Sequence, residues 1–292
     1  MTSTIANPQN SSTATTSPST ANFAETGWHE EWVEHPDGTG EIIWTPLTDA
    51  EFLHPREGDH LPTNTFHDRI VSTLKDLLKR WFSHQPNTCV YSDLLIQWDI
   101  DLGDHSPDVM VVFDVQEPER DRFTFVVAEE GVRPAVVMEV VSPRYRHVDR
   151  ETKVQHYAQA QVQEYIILDR RRNRQQTWEE VLGYRLVAPG VYQPITPDEE
   201  GRILSRVLGL WISLQDGQVV LENAQTGERL LTAMELAQQA EAERQRAEAE
   251  RQRAEAERQR AEAEAQRAEA ERQRAERLAD FLRSQGLDPD QV

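Results

Sequence analysis

The sequence predicts a mixed α/β core followed by one long charged helix, and three observations predict it. Phe66, Ile70, Leu74, Leu77, Leu78 and Trp81 recur at three-to-four spacing, which marks an amphipathic helix over 65–82. Short apolar runs at 89–98, 107–113 and 134–142 follow, too short for helices and bounded by proline or polar residues, and these read as strands. From Ala240 to Arg274 the motif Ala-Glu-Ala-Glu-Arg-Gln-Arg recurs in steps of seven, with one change at Ala265, in residues that all favour a helix.

Taken in chain order, 1–25 is polar and of low complexity, and disorder is expected there. The folded domain is expected over 26–222. Within it, 41–44 reads as a short edge strand and 48–53 as a short capped helix. The 65–82 helix and the three strands come next, then a helix over 149–161 and a strand over 164–169. A helix joining two strands of one sheet sets those strands parallel, while the other pairings remain free, so the sheet is expected to be mixed. Further short strands are expected at 175–178, 184–187 and 219–221. Residues 223–239 serve as linker or helix start, and 240–292 as the repeat helix. Ten Glu and nine Arg over 241–274 fall at i,i+3 and i,i+4 spacings and nearly cancel. The alanines recur at steps of two and five, which makes any coiled-coil seam narrow. A free-standing charged helix and a weak coiled coil therefore both stand as readings. Leu278, Phe281 and Leu282 at its end could pair with a second copy.

Composition narrows the function classes. With 31 Lys and Arg against 51 Asp and Glu the 292-residue chain carries a formal charge of −20, which opposes strong nonspecific nucleic-acid binding. Any such role must rest on local patches, of which there are two: Arg144, Arg146 and Arg150, and Arg170, Arg171, Arg172 and Arg174. The single cysteine, Cys89, excludes an internal disulfide and fits a reducing cytoplasm. The N-terminus lacks the basic start and apolar core of a secretory signal, and no apolar stretch nears the roughly 20 residues that span a bilayer. Paired zinc ligands, phosphate-binding glycine loops and nucleophile elbows are all absent from the sequence.

The chemistry is concentrated in two acids. Glu139 interrupts the apolar run Pro134-Ala-Val-Val-Met-Glu-Val-Val-Ser142, where an unpaired carboxylate would be costly or would take up a proton. Asp108 stands at the mouth of the preceding run, Ser106-Pro-Asp-Val-Met-Val-Val-Phe113. Two carboxylates entering from neighbouring strands suggest a divalent-metal site.

The ordered string Pro107-Asp108, Glu139-Val-Val-Ser-Pro143, Asp149-x-x-x-Lys153-x-x-x-Tyr157 and Glu164-Tyr-Ile-Ile-Leu-Asp169 resembles the Uma-type putative restriction endonuclease family, within the PD-(D/E)XK nuclease superfamily. The likeness covers roughly 48–187. It implies a restriction-endonuclease-like core and a metal-dependent phosphodiesterase with DNA as its substrate. Asp108, Glu139 and the backbone carbonyl of Val140 would then hold Mg²⁺, with Mn²⁺ as a substitute. The sequence departs from the superfamily pattern where a lysine would stand two residues after Glu139; Val141 is there. Lys153, on the following helix, becomes the candidate for orienting water and offsetting charge. Tyr157 lies one turn on and could support it. His67 sits beside the apolar stripe of the first helix, as a structural residue with a supporting contact to the site in view. Asp149 reads as the N-cap of its helix, Glu164 and Tyr165 as packing residues, and His105 has no assigned role. A dimer or higher homo-oligomer, built through the C-terminal helix, would allow both strands to be cut. The competing reading is a non-catalytic nuclease-fold scaffold acting through that helix.

Overall fold

The six strands of the central sheet follow chain order, with other elements between them: β1 (Cys89–Tyr91), β2 (Val109–Val112), β3 (Val136–Val140), β4 (Glu164–Arg172), β5 (Thr177–Ala188) and β6 (Val191–Pro194). Their spatial order is also β6-β5-β4-β3-β2-β1 in this computed structural model, which describes residues 22–173 and 175–285. Most of the segment expected to be disordered, 1–21, lies outside the described residues, as do Arg174 and 286–292. Pairing is antiparallel except between β3 and β4, which are parallel, so the sheet is mixed as expected.

Every residue of β3 is buried, because a layer covers each face of the sheet. On one face Val109, Val111, Val136, Met138, Val140, Ile166 and Leu168 pack against α1 (Thr65–Trp81). That helix begins where Asn64 Oδ1 accepts the backbone N–H groups of Phe66 and His67, and its stripe of Ile70, Leu74, Leu77 and Leu78 is buried. On the other face Met110, Val112, Val137, Val141 and Ile167 pack against Tyr157 of α2 (Lys153–Gln159). Successive side chains of a strand alternate faces, so Glu139 shares the α2 face with Val137 and Val141.

Several elements differ from the expectations. The 89–98 run splits into β1 and a second strand, Leu95–Gln97, on either side of Asp93, whose φ is +52°. The second piece pairs in parallel with Thr124–Val126, which the sequence left as loop. The expected strands at 175–178 and 184–187 are one twelve-residue strand, β5. Gly183 within it is a close-packing position: a Cβ there would meet Ile203 Cδ1 at 2.8 Å and Ile195 Cδ1 at 2.9 Å. The edge strand at 41–44 belongs to a larger hairpin of Trp28–Glu34 and Gly40–Pro46, joined by Asp59–His60, and a four-residue helix, Phe23–Thr26, precedes it. The capped helix is present at Asp49–Leu53, with Thr48 and Glu51 forming a reciprocal capping box. A three-stranded meander, Ile203–Ser205, Leu210–Gln215 and Gln218–Asn223, completes the core on the α1 side; only its last strand was expected.

The loop between β2 and β3 is anchored by Arg122, whose Nε and Nη2 donate to Glu130 at 2.8 and 3.1 Å. Arg122 also holds the Glu130 carboxyl below its usual range, outweighing burial. A carboxylate depressed in the folded state stabilises above its unfolded pKa, and that stability is lost as pH falls through the folded value. Amide protection over 116–131, corrected for intrinsic exchange, is therefore expected to fall below about pH 4. Glu130→Gln should show the loosened loop already at neutral pH. Equal protection of parent and variant at pH 7 would remove this role from the pair.

The chain divides into two units, Met1–Thr232 and Ala233–Val292. The second contains α3 (Ala233–Ser284), 52 residues with no buried side chain, starting seven residues before the repeat. Pairs such as Glu241–Arg244 and Arg258–Glu262 lie along it at the expected spacings. No helix among the described residues is long and apolar enough to cross a membrane.

Candidate active site

Strand register brings the two acids together. Val109 pairs with Met138 across β2 and β3, so Asp108, one step earlier, faces Glu139, one step later. Residues directly opposite on antiparallel strands share a face, with Cβ atoms about 4.5–5.5 Å apart. Asp108 is fixed from two sides: its Oδ2 accepts the Val140 N–H at 2.6 Å, and its Oδ1 accepts from His67 Nε2 at 2.9 Å. The Asn64 cap places His67 in the first turn of α1 and so sets this contact. His67 is thus a partner of the site.

The third side comes from the helix after β3. It opens with a π turn, Val148–Thr152, before α2, a feature that often marks functional sites. Asp149, Lys153 and Tyr157 follow at steps of four along one face. Lys153 Nζ lies 3.0 Å from Glu139 Oε1 and 2.9 Å from Asp149 Oδ1, and 5.0 Å from the centre of the Phe52 ring. Tyr157 Oη donates to Glu139 Oε1 at 2.9 Å. Glu139, Asp149, Lys153 and Tyr157 are all buried. Tyr157 is therefore more than packing, and Asp149 is not an N-cap. His147 holds the cap position, and no side chain caps the turn. Asp149 is turned inward, where its Oδ1 lies against the Lys153 ammonium. The rule that assigns acids at helix starts to capping obscured it; the i,i+4 step to a lysine was the available signal.

Charge in the cleft does not balance. Asp93, Asp108, Glu139 and Asp149 line it with Lys153 and His67, around a narrow space of about 40 Å³. Burial, reinforced by Asp108 and Asp149 and opposed by Lys153, pushes the Glu139 carboxyl up to about 8. Asp149 is raised by burial too, although Lys153 opposes the shift. Asp93 is raised by burial and by Asp108. Burial works against charge on Lys153 and His67, yet neighbouring carboxylates outweigh it and raise both. The cleft lining thus carries more carboxylates than cations.

Carboxylate oxygens are the donors a hard divalent cation would use. Among the described residues no group of three or more His, Cys, Asp or Glu side chains is placed to hold a metal ion. Mg²⁺ seldom needs one, since it commonly takes one or two carboxylates and keeps water or substrate oxygens for the rest. Asp108 and Glu139 would hold it, with Val140, which also lines the cleft, offering its carbonyl.

The remaining sequence candidates are structural. Buried His105 accepts from Trp98 Nε1 at Nδ1 and donates from Nε2 to His156 Nδ1, each at 2.9 Å. Burial, with Lys153 nearby, pushes its pKa down to about 2, so it stays neutral against the Tyr157 ring. Glu164 is tied to Arg185 and Ser205, and Tyr165 Oη donates to the Asp149 carbonyl at 2.9 Å.

None of the curated proteins compared with this chain matches it. Among solved structures it is similar to a putative nuclease belonging to DUF820 from Anabaena variabilis, at 14% identity and a TM-score of 0.37, over 57% of this chain and 79% of that one. The family model described as Uma2, Putative restriction endonuclease, matches residues 60–215. That match begins just before α1, contains both acids, Lys153 and the whole central sheet, and takes in more than half of the 292 residues. The chain belongs to the Uma2 putative restriction endonuclease family.

Proposed function

We propose that this protein is a divalent-metal-dependent endonuclease that hydrolyses DNA phosphodiester bonds by direct attack of water. The observation that carries the reading is the register-opposed pair Asp108 and Glu139 in a buried cleft with surplus negative charge. Membership of the family supports it. Bound Mg²⁺ or Mn²⁺ would supply Lewis-acid polarisation of the scissile phosphate and a more acidic water.

The chain's own residues do the rest. Asp108 is held in place by the Val140 N–H and His67, so its orientation is settled before substrate arrives. Lys153, charged and desolvated, offsets the negative charge that builds on the phosphoryl oxygens in the transition state. Asp149 and Tyr157 are positioning residues, one for the Lys153 ammonium and the other for the Glu139 carboxyl. Tyr157→Phe is expected to weaken Mn²⁺ binding about 10–100-fold in calorimetry, with nicking recovering at saturating Mn²⁺. An unchanged affinity would return Tyr157 to packing.

A plasmid nicking assay with Mn²⁺ on the parent, Asp108→Ala and Lys153→Ala tests the function directly. Nicking by the parent that both substitutions abolish is the expected result; equal nicking by all three would defeat it. One observation favours the scaffold reading: Lys153 already bridges Glu139 and Asp149 and partly neutralises them without metal. A parent that binds no metal and cuts nothing would establish that alternative. For the long helix we assign homo-oligomerisation. Removing 240–292 should lower the mass in solution from oligomer to monomer, and an unchanged state would exclude it.

A further inference from the structure

The nuclease cleft opens, past the Pro62–Asn64 and Ser142–Pro143 segments, into a trough of about 420 Å³ whose lining carries four arginines and no carboxylate. They are Arg146, Arg170, Arg171 and Arg172. On a chain with a formal charge of −20 this is a local inversion of sign. We propose that this trough binds the phosphodiester backbone of the nucleic acid on one side of the scissile phosphate. The proposal rests on the nuclease reading of the adjoining cleft.

Register sets the spacing. Glu139 pairs with Ile167 across β3 and β4, and β4 runs on through Arg170–Arg172 beyond the end of β3. Those residues stand three to five positions past the site, about 10–17 Å at about 3.3 Å per residue. With an axial step of about 3.4 Å per phosphate on one strand, that is about three to five phosphates from the cut. Val140 lines the cleft and Val141 the trough, so the two surfaces adjoin at the end of β3.

The guanidinium groups are placed with donors to spare. Arg146 pairs with buried Asp169, Arg170 with Glu179 at 3.3 Å while lying 4.8 Å over the Phe66 ring, and Arg171 with Glu180 at 2.7 Å. Each guanidinium has five N–H donors, so one carboxylate behind it fixes its position and leaves N–H groups for an anion. No side chain of the described residues pairs with Arg172. A polyanion of regularly spaced monovalent charges suits such a row, and phosphate accepts the planar fork in bidentate fashion.

The test is fluorescence anisotropy of the full chain with a labelled DNA duplex, in Ca²⁺ so that nothing is cut. The probing variant is Arg171→Ala/Arg172→Ala. Glu180 keeps Arg150 at 2.6 Å when Arg171 is gone, so no carboxylate is stranded and the fold should hold. A second variant, Arg172→Glu, reverses one unpaired exposed charge. Affinity should drop at least about tenfold in the double variant at low salt, and the log–log salt slope should become shallower by about two. Parent-like DNA binding by both arginine variants would overturn the trough while leaving the nuclease reading intact. No DNA binding by the parent at any salt would overturn both. Equal binding of heparin or polyglutamate, with the same loss in the variants, would replace nucleic acid by polyanions in general.

Discussion

Replacing Glu139 by glutamine is expected to abolish divalent-metal binding while leaving the metal-free fold as stable as the parent or more so. The two effects have one origin. Glu139 is buried on a central strand beside Tyr157 and Lys153, and burial pushes its carboxyl up to about 8, so ionising it at neutral pH already costs free energy. Glutamine keeps the volume and an oxygen that can accept from Tyr157 Oη. Lys153 loses one partner but retains Asp149 at 2.9 Å, in a cleft that still holds Asp93 and Asp108. A neutral amide in place of a carboxyl that burial already biases toward its protonated form takes little from the metal-free fold, whereas it is a poor ligand for a hard cation. Calorimetric Mn²⁺ titration and thermal melting with and without metal measure both. Nicking should fall by about a thousandfold, the scale of losing an electrostatic contact from such a site. A variant that melts well below the parent without metal, and still binds Mn²⁺, would make Glu139 a structural partner of Lys153 and nothing more.

The parts of this site that local patterns encode were legible, and those that long-range geometry encodes were not. A carboxylate inside an all-apolar strand is a local anomaly, and the structure keeps it buried with Lys153 and Tyr157 as partners. The steps of four from Asp149 to Lys153 to Tyr157 put three polar groups on one helical face, and all three are buried as a unit. The role of Asp149 was hidden because a helix start in solvent and a helix start facing an acidic cleft look identical in sequence. The continuity of β5 through Gly183 was hidden for another reason: the two isoleucines that crowd that glycine are 12 and 20 residues further along the chain. The hairpin at Trp28–Glu34 alternates too little and carries too much charge to declare itself. Its strand character depends on the register it shares with Gly40–Pro46. The basic trough, likewise, needs β4 to overrun β3, which only the folded register reveals.

Lys153→Met is expected to destabilise the metal-free protein and to make its stability depend on a divalent cation. Among the described residues Lys153 is the only lysine lining the cleft, and its ammonium is the contact that Glu139 and Asp149 share. Withdrawing one partner from a buried charge group costs about 3–5 kcal/mol. For a folded unit of this size that is a fall of roughly 6–20 °C in Tm, at about 2–4 °C per kcal/mol. The methionine fills most of the same volume and keeps contact with Phe52, so the loss is electrostatic and no cavity is created. A cation entering between Asp108 and Glu139 would then do part of what the ammonium did. Mg²⁺ should raise the Tm of the variant by more than it raises that of the parent, because in the parent it competes with a charge already in place. Catalysis separates from stability here: metal restores the fold of Lys153→Met but not its nicking, since the group that offsets transition-state charge is still missing. If metal raised both melting temperatures equally, Lys153 and the cation would occupy independent sites, and the charge shortage in the cleft would not be what draws the metal in.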